Sequence, residues 1–198
     1  ARHVGGGEQS PVAGRDLEEA VIEPPRSRQA ADRDHGPALP DQGYAFGIYA
    51  DSQFGRHKIK DTTFRGIEVH EAFAGATVDA RDGDLTAQLI EFMEARYGEG
   101  RPAFGFAFYK STHYGYHYPP EAARFQPFRV LNYALPGTEW DLPLYLNHYR
   151  NAVSYVDGLV GQIVRRLEAS GLLKDTIIIV TSDHGEHFGE HGIGEHGA

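Results

Sequence analysis

Residues 175–182 (DTIIIVTS) carry four consecutive large apolar side chains, Ile177 to Val180, and run without a break into residues 183–197 (DHGEHFGEHGIGEHG). A strand with one wet face alternates apolar and polar residues. A strand covered by helices on both faces does not, so this run predicts a central strand of a parallel sheet. Parallel strands are joined by crossovers, usually helical, which confines the chain to an α/β architecture. The rest of the sequence agrees. Residues 44–50 (YAFGIYA) and 103–109 (AFGFAFY) are aromatic and apolar stretches of strand length, each preceded by turn-forming residues. Between them Asp84 is placed to cap a helix over residues 85–97, with Leu89, Ile90 and Met93 as its stripe and Gly98 and Gly100 as its stop. A longer helix is predicted over residues 144–169, where Tyr149, Val153, Val156, Leu159, Val160, Ile163, Val164 and Leu167 recur three or four apart before Gly171. The expected fold is α/β, a mostly parallel central sheet flanked by helices.

Residues 1–40 are rich in Arg, Asp, Glu, Gly and Pro, and their scattered apolar residues keep no period, so they are predicted to be disordered or unassigned; the folded part is expected over residues 43–198. A formal net charge of -9 argues against non-specific nucleic-acid binding, which needs clustered Lys and Arg to displace phosphate counterions. The sequence has no cysteine, which excludes disulfides and thiolate metal sites. No apolar run approaches the roughly 20 residues of a membrane-spanning helix. Any membrane anchor is expected in segments absent from this chain.

The chemistry is concentrated at the end of the apolar run, where His184, His187, His191 and His196 make four of the chain's 11 histidines. Ligands of open α/β sheets sit beyond the carboxyl ends of the strands, which is where Asp183 and His184 would emerge. One carboxylate oxygen and one imidazole nitrogen suit a divalent metal ion such as Zn, Mn, Mg or Ca. Gly185 allows a tight turn after them.

Residues 175–197 resemble the C-terminal metal motif of the sulfatase family of the alkaline phosphatase superfamily, in which a strand ends in Ser-Asp-His-Gly-Glu and continues through Gly-Glu-His-Gly to a further His-Gly. The helix before it, with residues 149–157 (YRNAVSYVD), is similar to the family helix that leads into that strand. Residues 111–120 (STHYGYHYPP) resemble the family's His-x-Pro-Tyr-x-x-Pro segment, with Gly115 where Pro is usual. The resemblance covers residues 43–198 and implies an alkaline phosphatase type of fold. It implies that Asp183 and His184 bind the metal, and that His196 and His113 contact the sulfate, phosphate or leaving group. Read without the family, His113 is equally a buried histidine satisfied by hydrogen bonds, and His117, among aromatics, is structural. Glu186 and Glu190 would orient the metal ligands, and His187 or His191 could stand in for His196.

By the same resemblance the activity is sulfatase-like hydrolysis or transfer at a sulfate or phosphate ester of a small molecule, lipid or glycan. The nucleophile, a modified Cys or a Thr or Ser in the family, is unknown and expected upstream of this chain. So are the remaining metal carboxylates, so the chain is expected to be an inactive C-terminal part of an enzyme. Residues 111–113 and the helix around Tyr155 are similar to the membrane-linked members of Gram-negative bacteria, which implies the periplasmic face of the inner membrane; a cytoplasmic place is the alternative. The competing functional reading is a catalytically inactive binding or sensor domain of the cell envelope.

Overall fold

The computed structural model describes residues 43–51, 59–71, 77–130 and 142–188. The expectation for residues 1–40 lies outside them. Three strands form one parallel sheet in the order β2-β1-β3, with β1 (Ala45–Ala50) between β2 (Val69–Glu71) and β3 (Ala103–Phe108). Ala45 stands opposite Ala103 and Ala50 opposite Phe108, while Ile48 to Ala50 pair with Val69 to Glu71 on the other side. A four-residue helix, α1 (Ile59–Thr62), precedes β2. Neither β2 nor α1 is long enough to leave a periodic signal.

Alternation sorts the two sheet faces by size. Gly47, Gly105 and Ala107 share one face with Tyr49, whereas Phe46, Ile48, Phe104, Phe106 and Phe108 share the other. The small face receives α2 (Val78–Gly98), whose Leu85 and Leu89 are buried against Tyr49 with Phe92 and Met93 beside them. Its approach is close. A Cβ on Gly47 would lie 2.6 Å from the Phe92 ring, and one on Gly105 2.5 Å from Leu89 Cδ1. The aromatic face closes over Phe64 and Ile67.

Helix α2 starts at Val78, seven residues before the predicted first residue, and Asp84 caps nothing. Its opening residues, with three aspartates and Gly83, are poor helix formers. Side-chain hydrogen bonds hold them. Asp82 accepts the Lys110 and Ser111 amides, Tyr155 Oη donates to the Asp79 carbonyl at 2.7 Å, and Thr86 Oγ1 donates back to the Asp82 carbonyl. Helix α3 (Leu142–Ala169) follows the predicted period and buries Tyr145, His148, Ala152, Leu159 and Leu167. It ends at Gly171, which takes φ 71°, a left-handed conformation, while the Leu172 amide returns to the Leu167 carbonyl.

The predicted central strand is the main correction. Residues 176–182 join no ladder after a 3₁₀ turn at Leu173–Asp175, and β1 takes the central place among the described strands. Strand structure needs a partner edge, and none of the described residues offers one to this segment. Its apolar side chains are therefore in water, with Ile177 89% and Ile179 81% exposed. Apolar, β-branched backbone without a partner is a template for association. The 198-residue chain is expected to self-associate with rising concentration, and Ile177→Lys with Ile179→Lys to abolish this, as read by light scattering. Equal association of the double variant would show that another surface is responsible.

Candidate metal and anion site

The parallel strands end at a shared edge, where β1 gives way to Asp51 and β3 to Tyr109, Lys110 and Ser111. Asp51 is 2% exposed and is held by Arg81 Nε at 2.7 Å, with Lys110 Nζ at 3.9 Å. Asp82, fully buried, accepts the Ser111 amide at 2.7 Å and the Lys110 amide at 3.0 Å on one oxygen. Burial pushes its carboxyl above the ordinary range, against the pull of the donors at Ser111 and Lys110. Sequence reasoning passed over both aspartates. The available signal was the position of Asp51 directly after a strand.

Lys110 and Ser111 open the loop that carries His113. His113 N–H donates to the Lys110 carbonyl, Tyr116 N–H to the His113 carbonyl and His117 N–H to the Ser111 carbonyl. Gly115 has φ 100° and Tyr116 φ 42°. His113 is exposed, not a buried histidine satisfied inside the core, and lies edge-on to Tyr114. His117 folds back until Nε2 is 2.7 Å from where a Gly115 Cβ would stand. Desolvation there lowers its pKa, with Arg81, Lys110 and His113 adding repulsion that Asp79 partly offsets.

Asp183 and His184 stand in the exposed segment beyond Thr181. Asp183 Oδ1 accepts the His184 amide at 3.0 Å, and His184 Nδ1 lies 2.8 Å from the Gly185 carbonyl, which can only accept. The proton is therefore on Nδ1, and Nε2 presents a lone pair 3.7 Å from Asp183 Oδ2. Two acceptors at that separation can both lie about 2.0–2.2 Å from one cation. The Gly185 carbonyl raises the imidazole pKa, as do Asp183 and Glu186. The donor chemistry thus fits a divalent ion, although among the described residues no three His, Asp or Glu side chains gather in one place. Glu190, His191 and His196 lie outside the described residues; His187 is exposed.

The two motifs meet on α3. Phe188 packs on Tyr149 at 5.0 Å between ring centroids and on Tyr116 at 6.3 Å, and Glu186 helps burial to raise the Tyr149 pKa. Phe188 therefore touches the loop of His113 through Tyr116. One residue earlier on α3, His148, 5% exposed, has its Nδ1 within hydrogen-bond distance of Tyr118 Oη and meets Tyr116 edge-on.

Burial lowers the His148 pKa below 6.5, helped by His117 and opposed by the Gly115 carbonyl. Between the folded and unfolded values the unfolded chain then binds more protons, so stability rises with pH. The expected result is a melting temperature level above about pH 6.5 that falls as pH drops through that value. A curve that rises on acidification would contradict it.

A parallel sheet with helix α2 packed on one face and α3 packed against α2 places the chain in the α/β class. The Sulfatase family profile matches residues 31–198, and the chain belongs to that family. It is 34% identical to phosphoethanolamine transferase EptA of Escherichia coli O157:H7 over 89 residues, 45% of this chain and 16% of that protein. It is 42% identical to N-acetylglucosamine-6-O-sulfatase of Bacteroides thetaiotaomicron over 53 residues, 27% of this chain and 10% of that protein. The solved lipoteichoic acid synthase LtaP of Listeria monocytogenes superposes over 68% of this chain and 32% of its own, with a TM-score of 0.48 and 17% identity. The chain thus spans a small part of the relatives it matches. No helix among the described residues is long and apolar enough to cross a membrane.

Proposed function

We propose that this chain is the C-terminal part of the catalytic domain of a metal-dependent hydrolase or transferase that acts on sulfate or phosphate esters. Asp183 and His184 supply two ligands of a divalent ion, and His113 and His196 contact the anionic group. The observation that supports the reading is the packing of Phe188, which follows the Asp183-His184 pair in sequence, on Tyr149 and on Tyr116 of the histidine loop. When bound, the ion would stabilise the charge that spreads over the peripheral oxygens of a transferred sulfuryl or phosphoryl group. The protein's own task is then positional. The Gly185 carbonyl fixes the His184 tautomer so that Nε2 faces the carboxylate, and the turn of residues 113–116 presents His113 outward.

The proposal assigns the nucleophile and the remaining metal carboxylates to sequence upstream of the matched segment. The relative that transfers phosphoethanolamine matches a larger share of this chain than the sulfatase does, which favours phosphorus and a lipid or glycan substrate at the periplasmic face. The test uses a protein that joins this chain to its upstream sequence, assayed on an aryl sulfate, an aryl phosphodiester and a phosphoethanolamine lipid. Turnover of a phosphorus ester is expected, lost on chelation and restored by added metal. Undiminished turnover after exhaustive chelation would sink the proposal, and ester binding without turnover would favour an inactive binding domain.

A further inference from the structure

We infer that His148 is a positioning residue: held as its Nε2–H tautomer, it sets the conformation of the 113–118 loop and with it the place of His113. The functional weight of this rests on the proposed role of His113 as an anion contact. The geometry does not.

The tautomer follows from a relay that starts at the backbone. Asn151 is fully buried; its Oδ1 accepts the Phe125 amide at 2.7 Å and its Nδ2 donates to the Phe125 carbonyl at 3.1 Å. Because that pairing is reciprocal, the carboxamide has one orientation. The second Nδ2 hydrogen goes to Tyr118 Oη at 3.2 Å. The Tyr118 hydroxyl accepts there, and among the described residues His148 Nδ1, 2.6 Å away, is the acceptor its own proton can reach. Nδ1 is an acceptor, and the ring proton is left on Nε2. Among the described residues that buried nitrogen has no partner at full hydrogen-bond geometry, and the Gly115 carbonyl is the backbone group that interacts with the ring.

The ring also braces the loop. It stacks on Phe128 at 5.4 Å and meets Tyr116 and Tyr118 edge-on at 5.5 and 5.2 Å. Tyr116 is the position that needs bracing, since φ 42° is a conformation a bulky side chain seldom adopts. Its amide closes the turn onto the His113 carbonyl. Displacing His148 therefore releases Tyr116 and Tyr118 together, and the turn that presents His113 loosens with them. A ring needed only for its volume would not be tied into an oriented polar chain with a buried N–H left over.

Long-range nitrogen-proton NMR of the 198-residue chain near pH 7.5 is expected to find His148 protonated on Nε2 alone. An Nδ1–H ring would overturn the inference. His148→Phe keeps the volume and loses the acceptor, whereas His148→Asn places an oxygen where Nδ1 stood. His148→Phe is expected to shift the His113 Cε1–H signal and to speed exchange of the Tyr116 amide about tenfold or more, and His148→Asn to restore both in large part. Equal restoration by Phe would mean that the ring only fills space. Should the His148 variants fail to fold, Tyr118→Phe removes one oxygen from the same relay. It is expected to mix the tautomers and move His113, and an unmoved His113 overturns the inference. Calorimetry with inorganic phosphate and Mg²⁺, on a protein that joins this chain to its upstream sequence, separates the two readings. His148→Phe is expected to weaken phosphate binding about tenfold to a hundredfold. If the unaltered joined protein binds no phosphate, the anion role of His113 falls, while the tautomer and exchange results still decide the positioning.

Discussion

Asp82→Ala is expected to destabilise the domain by about 2–5 kcal/mol, because it leaves the buried Lys110 and Ser111 amides without their acceptor. The carboxylate does three things at once. It satisfies two donors at the carboxyl end of β3, ties the first turns of α2 to the loop of His113, and fills a site with no solvent access. Asp82→Asn separates these roles. One Asp82 oxygen takes both amides, so a carboxamide oxygen can take its place, at the cost of the longer 3.2 Å contact that the other oxygen makes with the Lys110 amide. Because burial penalises the ionised carboxyl, loss of the charge offsets part of whatever the weaker acceptor gives up. The Asn variant is therefore expected to lie within about 1–2 kcal/mol of the parent. Urea unfolding checks both, with an unchanged dependence on denaturant as the sign of an unchanged mechanism. An alanine variant as stable as the parent would mean that water replaces the carboxylate at those amides.

Asp82 also marks the boundary of what the sequence made legible. The spans of β1, β3 and α3 could be read because each is long enough for its period to appear, and because Pro102 and Gly171 punctuate them. The start of α2 could not. Residues 78–84 are unfavourable to a helix by themselves, and the partners that hold them, Ser111 and Tyr155, are distant in sequence. The small face of the sheet, with Gly47 and Gly105, reads in sequence as weakened strands until Phe92 and Leu89 are seen to occupy the space. Asp183, His184 and Glu186 stand out in the sequence by composition and motif. Asp51 was missed because one carboxylate after a strand looks like any turn residue. His148 was missed because the period of α3 marks its position as apolar and says nothing of Tyr118. The reading of residues 176–182 failed for a different reason: apolar composition states that a segment prefers burial, but the partner edge is a property of other chain segments.

In a protein that joins this chain to its upstream sequence, Asp183→Asn is expected to lower turnover by about a thousandfold or more, the upper scale for removing one stabiliser of transition-state charge. The fold should not notice. Asp183 is exposed, and its one described hydrogen bond, from the His184 amide, can be accepted equally by a carboxamide oxygen. Stability is therefore expected to stay within about 0.5 kcal/mol, as for surface substitutions in general. What changes is the oxygen facing His184 Nε2, which loses its formal charge and with it most of its affinity for a divalent ion. Glu186 is the internal control. It acts on His184 and Tyr149 through its field, so Glu186→Gln should cost about tenfold to a hundredfold, as groups behind the ligands do. The order of the two effects carries the argument. If Glu186→Gln proved the more damaging and Asp183→Asn nearly silent, His184 would share its cation with the later carboxylate, and the metal would sit closer to Tyr149 than the Asp183 pair allows.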